Sequence, residues 1–217
     1  MASLTIENYV KAIYQIAAGQ DWQPAATGKV AEKLGVSPGT VTSMLKTLSE
    51  SGLAEYVPYE GARLTEAGRT LALRVVRRHR LIELFLVRTL QLTWDEVHAE
   101  AENMEHAVSD LLIDRIDAYL GRPETDPHGD PIPKADGTVA GSSGGSLSRA
   151  EVGKRFRVTR VTDQSPEFLR YLTEIGLELD AVGLIVANRQ ESGTITVDVN
   201  GRHTTLAHNV ADRLLVT

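Results

Sequence analysis

Six residues in the middle of the chain carry side chains that bind divalent metal ions, and their spacing places them on helix faces. His79 and Glu83 are four residues apart, so they share one face of a helix. The others follow at spacings of four, three and one, on adjacent lines of a second helix: His98, Glu102, Glu105 and His106. Two such helices packed together would gather three histidines and three carboxylates. This donor set suits Mn, Fe, Co, Ni or Zn.

The composition narrows the kind of protein and the kind of metal site. The chain of 217 residues contains no cysteine, which excludes disulfides and thiolate metal sites. Ligands must therefore come from histidine, carboxylate, amide or water, and this argues against Cu(I) and iron–sulfur clusters. No apolar run approaches the roughly 20 residues of a membrane span, and the N-terminus lacks the pattern of a signal peptide. We expect a soluble, cytoplasmic protein.

The net charge of −6 is unevenly distributed along the chain. Residues 1–80 carry 10 Lys and Arg against 7 Asp and Glu, whereas residues 81–147 carry 4 against 13. Residues 148–217 carry 9 of each sign. The mildly basic segment over residues 1–80 is compatible with DNA binding. The strongly acidic segment over residues 81–147 is compatible with cation binding.

The front of the chain has the pattern of a helix-turn-helix. Apolar spacing predicts a helix over residues 5–18 capped by Thr5, followed by a short helix that ends at Gly35. Ser37 can cap the next helix, and Pro38 suits its first position. This amphipathic helix would be the one that enters the major groove of DNA.

Residues 53–65 are predicted to form two short strands around a Glu-Gly turn, which resembles the wing of a winged helix. The polar side of the helix that begins at Pro38 offers short hydroxyl side chains that can touch base edges or phosphates. Basic residues nearby could contact phosphates. The candidates for DNA contact are Lys29, Ser37, Thr40, Thr42, Ser43, Lys46 and Arg63.

Residues 75–120 are predicted to form a helical module for metal binding and dimerisation. One long helix runs over 66–91, and another follows Thr93 and is interrupted near Ser109. Their apolar residues exceed what one small module buries. The candidates for interface or core are Leu81, Leu84, Phe85 and Leu111.

The remainder of the chain reads as a linker and a β-rich domain. Residues 121–147 contain four prolines and are rich in glycine, so we expect a flexible linker. Residues 148–217 alternate as short strands with one helical stretch between them, which predicts a small β-barrel. The predicted fold is thus mainly α with a β-barrel: a winged helix-turn-helix over 1–74, the helical module over 75–120, the linker and the barrel.

Several stretches resemble the diphtheria toxin repressor family, which includes iron-dependent and manganese-dependent regulators. The matching stretches are ENYVKAIY, KVAEKLGVSPGTVTSMLKTLSESGL, RLTEAGR, RRHRLIELFL, VHAEAENMEHAVSD and PHGDPIP, spread over residues 7–133. The combination RHRLxExxL followed by VHxEAxxxEHxxS is highly specific. The C-terminal part looks like the SH3-like, iron-transport-accessory-like domain of that family.

The resemblance implies two metal sites per subunit. One would use His79, Glu83 and His98, completed by a polar residue of the SH3-like domain. Candidates for that residue are Asp163 first, then Gln164 and Glu167. The other site would use Glu102, Glu105 and His106 with a side chain from the first helix, where this chain has Asn8. The neighbouring Glu7 is an alternative to Asn8.

Three positions bear on which metal is bound. Iron-type members usually carry Cys at the position of Glu102, and manganese-type members carry Glu, so this chain looks manganese-like. Asn8 departs from both types, which carry Met or Asp there. Lys11 stands where some manganese-type members have a carboxylate, and this argues against a closely bridged pair of metals.

The resemblance implies a metal-dependent repressor of metal-homeostasis genes, activated by Mn²⁺ or alternatively Fe²⁺. It would act as a homodimer on a palindromic double-stranded operator, with no membrane association and no enzymatic activity. Two other interpretations start from the same residues. A metallohydrolase would use the His/Glu cluster with a general base, but the chain lacks HExxH. A metal-independent winged-helix regulator, or an interaction adaptor built on the barrel, would leave the cluster without a role.

Overall fold

A computed structural model describes residues 3–141 and 144–217. The chain divides into two compact units. The N-terminal unit comprises Met1–His79, Glu105–Val108 and Pro133–Thr138, and the C-terminal unit comprises Arg80–Met104, Ser109–Ile132 and Val139–Thr217. Among the described helices, none has the length and apolar character needed to cross a membrane.

Three helices open the N-terminal unit, as predicted. They are α1 (Leu4–Ala18), α2 (Thr27–Leu34) and α3 (Pro38–Glu50). Apolar residues repeat at intervals of three and four on each helix, and these faces are buried against one another. Val10 on the first helix, Val30 on the second and Leu45 on the third are completely buried. The polar face of α3 is left exposed.

Local signals determine where these helices begin and end. Ser3 caps α1, because its Oγ accepts a backbone hydrogen bond of 3.4 Å from the first turn. The prediction of Thr5 was wrong, since the extended backbone that a cap requires is found two residues earlier. Gly35 ends α2 with a φ of 64°, and the Ser37 side chain caps α3, both as predicted.

A two-stranded antiparallel sheet follows and confirms the predicted strand pair. Strand β1 is Ala54–Val57 and strand β2 is Gly61–Leu64. Ala62 also pairs with Ala25, which joins the sheet to the segment before α2. Gly61 has a φ of 111°, and a Cβ there would lie 2.5 Å from the Ala25 carbonyl oxygen, so only glycine fits.

The long helix α4 (Glu66–Leu90) agrees with its predicted bounds, and its residues up to His79 belong to the N-terminal unit. The helix predicted after Thr93 is two shorter helices in the structure. These are α5 (Val97–Met104) and α6 (Asp110–Tyr119). The interruption lies where it was expected, and the Ser109 side chain caps α6. Leu81 and Leu84 are buried, whereas Leu111 is 70% exposed.

The segment over residues 121–147 differs from the expected flexible linker. Asp126, His128, Asp130 and Ile132 are buried. Backbone hydrogen bonds hold them in a compact loop, including one from Val161 N to the His128 carbonyl at 2.8 Å. Composition misled the prediction because prolines and glycines shape a fixed loop as readily as a mobile one. Residues 142 and 143 of the expected linker lie outside the described residues.

The C-terminal unit continues into a six-stranded antiparallel sheet with strand order β3-β8-β4-β5-β6-β7. Its elements are β3 (Gly145–Ser146), a 3₁₀ turn (Leu147–Arg149), β4 (Arg155–Val161), α7 (Pro166–Ile175), β5 (Val182–Arg189), β6 (Thr194–Val199), β7 (Arg202–Ala207), α8 (His208–Ala211) and β8 (Leu214–Val216). The predicted strands and the helix between them are confirmed. Alternate residues of β6, such as Ile195 and Val197, point into a core that Leu169 and Leu172 of α7 complete.

Gly68→Ala should destabilise the chain, because a Cβ at this position would lie 1.9 Å from the Leu53 carbonyl oxygen. We expect a loss of about 2 kcal/mol in the free energy of unfolding, measured by urea denaturation. Gly28→Ala is the matched control, since nothing lies within 4 Å of the new Cβ and alanine favours a helix. A Gly68→Ala chain as stable as the wild type would contradict this packing of α4.

Candidate metal centre

The N-terminal unit gathers two acidic residues, two histidines and a lysine. Helix α1 contributes Glu7 and Lys11, which are four residues apart and share a face. Helix α4 contributes His79. Glu105 and His106 come from the turn after α5, which the sequence had predicted to be helical.

Lys11 lies between two of the predicted metal ligands. Its Nζ donates to both carboxylate oxygens of Glu105, at 2.7 and 2.9 Å, and lies 3.1 Å from His79 Nδ1. The same imidazole nitrogen is 2.6 Å from Glu105 Oε2. All three side chains are buried, and Glu105 completely so. The ammonium group therefore supplies positive charge beside the buried carboxylate.

The family resemblance assigned His79 and Glu105 to different sites. The structure also brings these two side chains into direct contact, and the assignment of each to a site stays a prediction. Each also lies next to Lys11, a residue that the sequence had marked only as an obstacle to a bridged metal pair.

His106 links the turn after α5 to α1 through Glu7. Its Nδ1 lies 2.7 Å from Glu7 Oε2. Its Nε2 is 3.2 Å from Glu105 Oε1 but is not aligned for a hydrogen bond. The amide oxygen of Asn8 is buried and has no hydrogen-bond partner. Two buried polar atoms thus lack a donor, and imidazole, carboxylate and amide oxygen are ligand types that fit a divalent cation.

The C-terminal unit holds three further predicted ligands. Glu83 of α4 is buried, and its Oε1 lies 3.2 Å from His98 Nδ1. On α5, His98 Nε2 is 3.8 Å from Glu102 Oε1, one turn along the helix. The side chains of His98 and Glu102 are each 41% exposed. His98 and Glu102 are therefore partly accessible to solvent, whereas Glu83 is not.

Two residues that the sequence reasoning missed lie in the same unit as Glu83. Asp126 and His128 are buried, and one ligand atom from each of these three residues lies within 4.8 Å of the other two. Burial raises the pKa of the Asp126 carboxyl well above its ordinary value, Asp130 and Glu83 push it the same way, and Arg80 opposes them. The signal was the spacing of charged residues in DPHGD, hidden by the surrounding prolines and glycines.

Asp163 and Gln164, two candidates from the sheet domain for completing a metal site, have different partners in the structure. Asp163, the first candidate, pairs with Arg213 at 2.5 Å and accepts a hydrogen bond from the backbone of Ser165. Gln164 instead donates to Asp130 Oδ2 at 2.9 Å. Gln164 is therefore the candidate that contacts the loop of His128.

Comparisons with known proteins cover nearly the whole chain. Residues 1–62 match the family "Iron dependent repressor, N-terminal DNA binding domain", and residues 65–134 match "Iron dependent repressor, metal binding and dimerisation domain". Residues 145–217 match the FeoA domain. The iron-dependent repressor IdeR of Mycobacterium tuberculosis is 30% identical, over 98% of this chain and 96% of that protein. The chain belongs to the iron-dependent repressor family.

Solved structures of the family include manganese-dependent relatives. A manganese-dependent transcriptional repressor in complex with manganese is 41% identical over 98% of this chain and 99% of that one, with a TM-score of 0.87. ScaR with bound Zn²⁺ is 31% identical over 98% of both chains, with a TM-score of 0.81. The resemblance of this chain to the family, and to its manganese-type members, is confirmed.

The predicted DNA contacts of this family member lie on exposed surface, but several are engaged within the protein. Ser37 caps α3, and the hydroxyls of Thr42 and Ser43 donate to carbonyl oxygens one turn earlier. Such bonds orient a hydroxyl without preventing it from also contacting DNA. Thr40 and Lys46 are exposed on the same helix.

The two basic residues outside α3 also have partners within the N-terminal unit. Lys29 donates to the Gln20 side chain at 2.7 Å, and Arg63 donates to the Trp22 carbonyl at 2.9 Å. Arg63 lies on β2 of the predicted wing. Both side chains are exposed, and their contact with DNA phosphates stays a prediction.

Lys11→Met should lower the free energy of unfolding by about 3 kcal/mol in the presence of a chelator, because the buried Glu105 carboxylate loses its charge partner. Urea denaturation measures the change. Lys29→Met is the matched control, since Lys29 is exposed, and it should change stability by less than about 1 kcal/mol.

Saturating Mn²⁺ should then restore more stability to Lys11→Met than it adds to the wild type. The reason is that Glu105 and His79 become available to an ion once the ammonium group is removed. If Lys11→Met and the wild type are equally stable with chelator, Lys11 does not neutralise Glu105.

Proposed function

We propose that this chain is a transcriptional repressor whose affinity for its operator is raised by Mn²⁺, with Fe²⁺ as the alternative ion. The observation that carries the proposal lies in the N-terminal unit. Glu7 and Lys11, on the first helix of the DNA-binding domain, contact His106 and Glu105, which are predicted metal ligands. An ion bound by those ligands would change how the DNA-binding helices are held.

The proposed domains follow the expected bounds, with the winged helix-turn-helix over 1–74 and the metal-binding and dimerisation module over 75–120. The segment over 121–147 joins them to an SH3-like barrel over 148–217. The families matched at residues 65–134 and 145–217 support this division, as does the single sheet of the C-terminal domain.

The proposed ligands are imidazoles and carboxylates of α4, α5 and the turn that follows α5. They are His79, Glu83, His98, Glu102, Glu105 and His106, distributed over two metal sites per subunit. Helix α1 would add Asn8 or Glu7, and the contact between Glu7 and His106 favours Glu7. From the sheet domain, the contact of Gln164 with Asp130 favours Gln164 over Asp163.

The ligand chemistry favours manganese among the candidate ions. The site residues offer oxygen and imidazole nitrogen and no sulfur, and hard oxygen ligands suit Mn²⁺. Zn²⁺ would still bind more tightly, because raw affinity follows the Irving–Williams order. Selectivity would then arise in the activation step, since the tetrahedral geometry of Zn²⁺ would leave one of the anchoring ligands unused.

The proposed mechanism is a shift of population toward a DNA-competent dimer. An ion raises the population of the DNA-competent state only if it binds that state more tightly than the other conformations. The size of the shift is set by this difference in affinity. A two-fold dimer would present two copies of α3 to two half-sites of a palindromic operator. The exposed apolar residues Leu111 and Tyr119 of α6 are candidates for the dimer contact.

Operator binding should depend on the metal. A duplex selected from a randomised library in the presence of Mn²⁺ should bind at least about tenfold more weakly with chelator at the same salt concentration. Lys46→Ala should weaken binding with Mn²⁺ present, whereas Lys154→Ala, an exposed lysine of the sheet domain, should not. Fluorescence anisotropy measures each affinity. Equal affinities with Mn²⁺ and with chelator would reject the proposed function.

The Mn²⁺ response should depend on Glu102. In Glu102→Cys, assayed with a thiol reductant, the Mn²⁺ concentration for half-maximal DNA binding should rise about tenfold, because sulfur is a poor ligand for Mn²⁺. Glu100→Cys is the matched control, since it places an exposed cysteine on the same helix. If Mn²⁺ activates Glu102→Cys as well as the wild type, Glu102 does not confer the manganese response, and the Fe²⁺ alternative takes its place.

A further inference from the structure

The loop around His128 in the C-terminal unit is held by internal hydrogen bonds and carries three buried charged or titratable residues. Asp126 N donates to the Asp130 carbonyl at 3.0 Å, and Gly129 N donates back to the Asp126 carbonyl at 3.1 Å. The Asp126 carboxylate accepts hydrogen bonds from the backbone of both His128 and Asp130. No part of the predicted ligand set uses this loop, so its buried side chains need another explanation.

The tautomer of a neutral His128 ring follows from its surroundings. Nε2 lies 2.8 Å from the Trp94 carbonyl oxygen, which can only accept, so Nε2 carries the hydrogen. The other nitrogen, Nδ1, then has a lone pair when the ring is neutral. The Trp94 indole stacks on the imidazole with 6.1 Å between ring centroids and is itself held by a hydrogen bond to Thr173.

The Nδ1 lone pair faces two carboxylates and no hydrogen-bond donor. His128 is completely buried, and its Nδ1 has no hydrogen-bond partner. Glu83 Oε2 lies 3.9 Å away and Asp126 Oδ1 lies 4.0 Å away. Ligands of one ion at about 2.0–2.2 Å stand between about 3 and 4.4 Å from each other. The three residues therefore have the separations of a coordination sphere without being close enough to hydrogen-bond each other.

Buried carboxylates and arginines surround the same loop. Arg80 lies 3.5 Å from Asp126 and 3.4 Å from Asp130, and Arg160 contacts Asp130. Glu83, Asp126 and Asp130 are all buried in this unit. The Asp126 Oδ2 atom is buried and has no hydrogen-bond partner, although Arg80 Nε lies 3.5 Å from it. Leaving such atoms without a partner is costly in a protein interior.

We propose that Glu83, Asp126 and His128 bind a divalent cation of the Mn²⁺, Fe²⁺ or Zn²⁺ class, in a site additional to those proposed above. One imidazole and two carboxylates supply the donors, and the Trp94 carbonyl orients the imidazole from behind, as such partners commonly do for metal-binding histidines. Glu83 is shared, because its Oε1 faces His98 while its Oε2 faces His128. The ion would link Glu83 of α4 to the loop of His128, whose backbone carbonyl accepts a hydrogen bond from Val161 of β4.

The first test counts bound ions in the full-length chain by equilibrium dialysis with Mn²⁺. His128→Gln and Asp126→Asn should each bind one fewer Mn²⁺ per chain than the wild type. Asp126→Asn retains an oxygen for the two backbone hydrogen bonds. The matched controls are His203→Gln and Asp180→Asn, whose side chains are 63% and 74% exposed, and they should bind as many ions as the wild type. Wild-type stoichiometry in both loop variants would overturn the proposal.

The second test does not depend on the folding of a variant. Crystals of the wild-type chain grown with Mn²⁺ should give an anomalous difference peak bounded by Glu83, Asp126 and His128. The same peak should persist in His98→Gln, which removes a ligand of the proposed regulatory site and leaves this one intact. Absence of the peak from both crystals would overturn the proposal, whether or not DNA binding depends on Mn²⁺.

Discussion

The free-energy cost of burying a carboxylate group explains the main side-chain contacts between distant parts of this chain. Glu105 is completely buried, and in that environment a carboxylate needs a cation or hydrogen-bond donors beside it. Lys11 supplies the charge and His79 a second polar contact. Because Lys11 belongs to α1, the first helix of the DNA-binding domain is tied to a residue of the metal-binding domain. Any ion that competes with Lys11 for Glu105 therefore acts directly on that helix.

The same requirement is met differently in the C-terminal unit. Glu83, Asp126 and Asp130 are buried, and Arg80 and Arg160 form ion pairs with the two aspartates. The remaining acceptors converge on a histidine nitrogen that has no hydrogen-bond partner. In the N-terminal unit a tethered ammonium group neutralises the buried carboxylate, whereas in the C-terminal unit we propose that a metal ion does so. A lysine cannot be removed by a chelator, and a metal ion can.

Helix α4 contributes to both arrangements through the sequence RRHRLIE. Read as sequence, its basic run could be taken for a DNA-binding surface. In the structure, Arg77 and Arg78 are buried; Arg77 donates to the Pro133 carbonyl, and Arg78 lies 3.9 Å from Glu7. These arginines hold neighbouring segments in place. The exposed polar face of α3 is the surface that we propose for DNA.

The sequence alone determined the helices, the strand pair and the strands of the C-terminal domain, because apolar periodicity, glycine and capping residues are local signals. It also determined the set of predicted metal ligands on α4 and α5, since side chains four residues apart share a helix face. Only the tertiary structure decided the partners: that Lys11 neutralises Glu105, that Glu7 reaches His106, and that His128 faces Glu83. The physical reason is that burial and charge pairing join residues distant in sequence, and composition cannot tell a mobile loop from one whose polar atoms are held in a core.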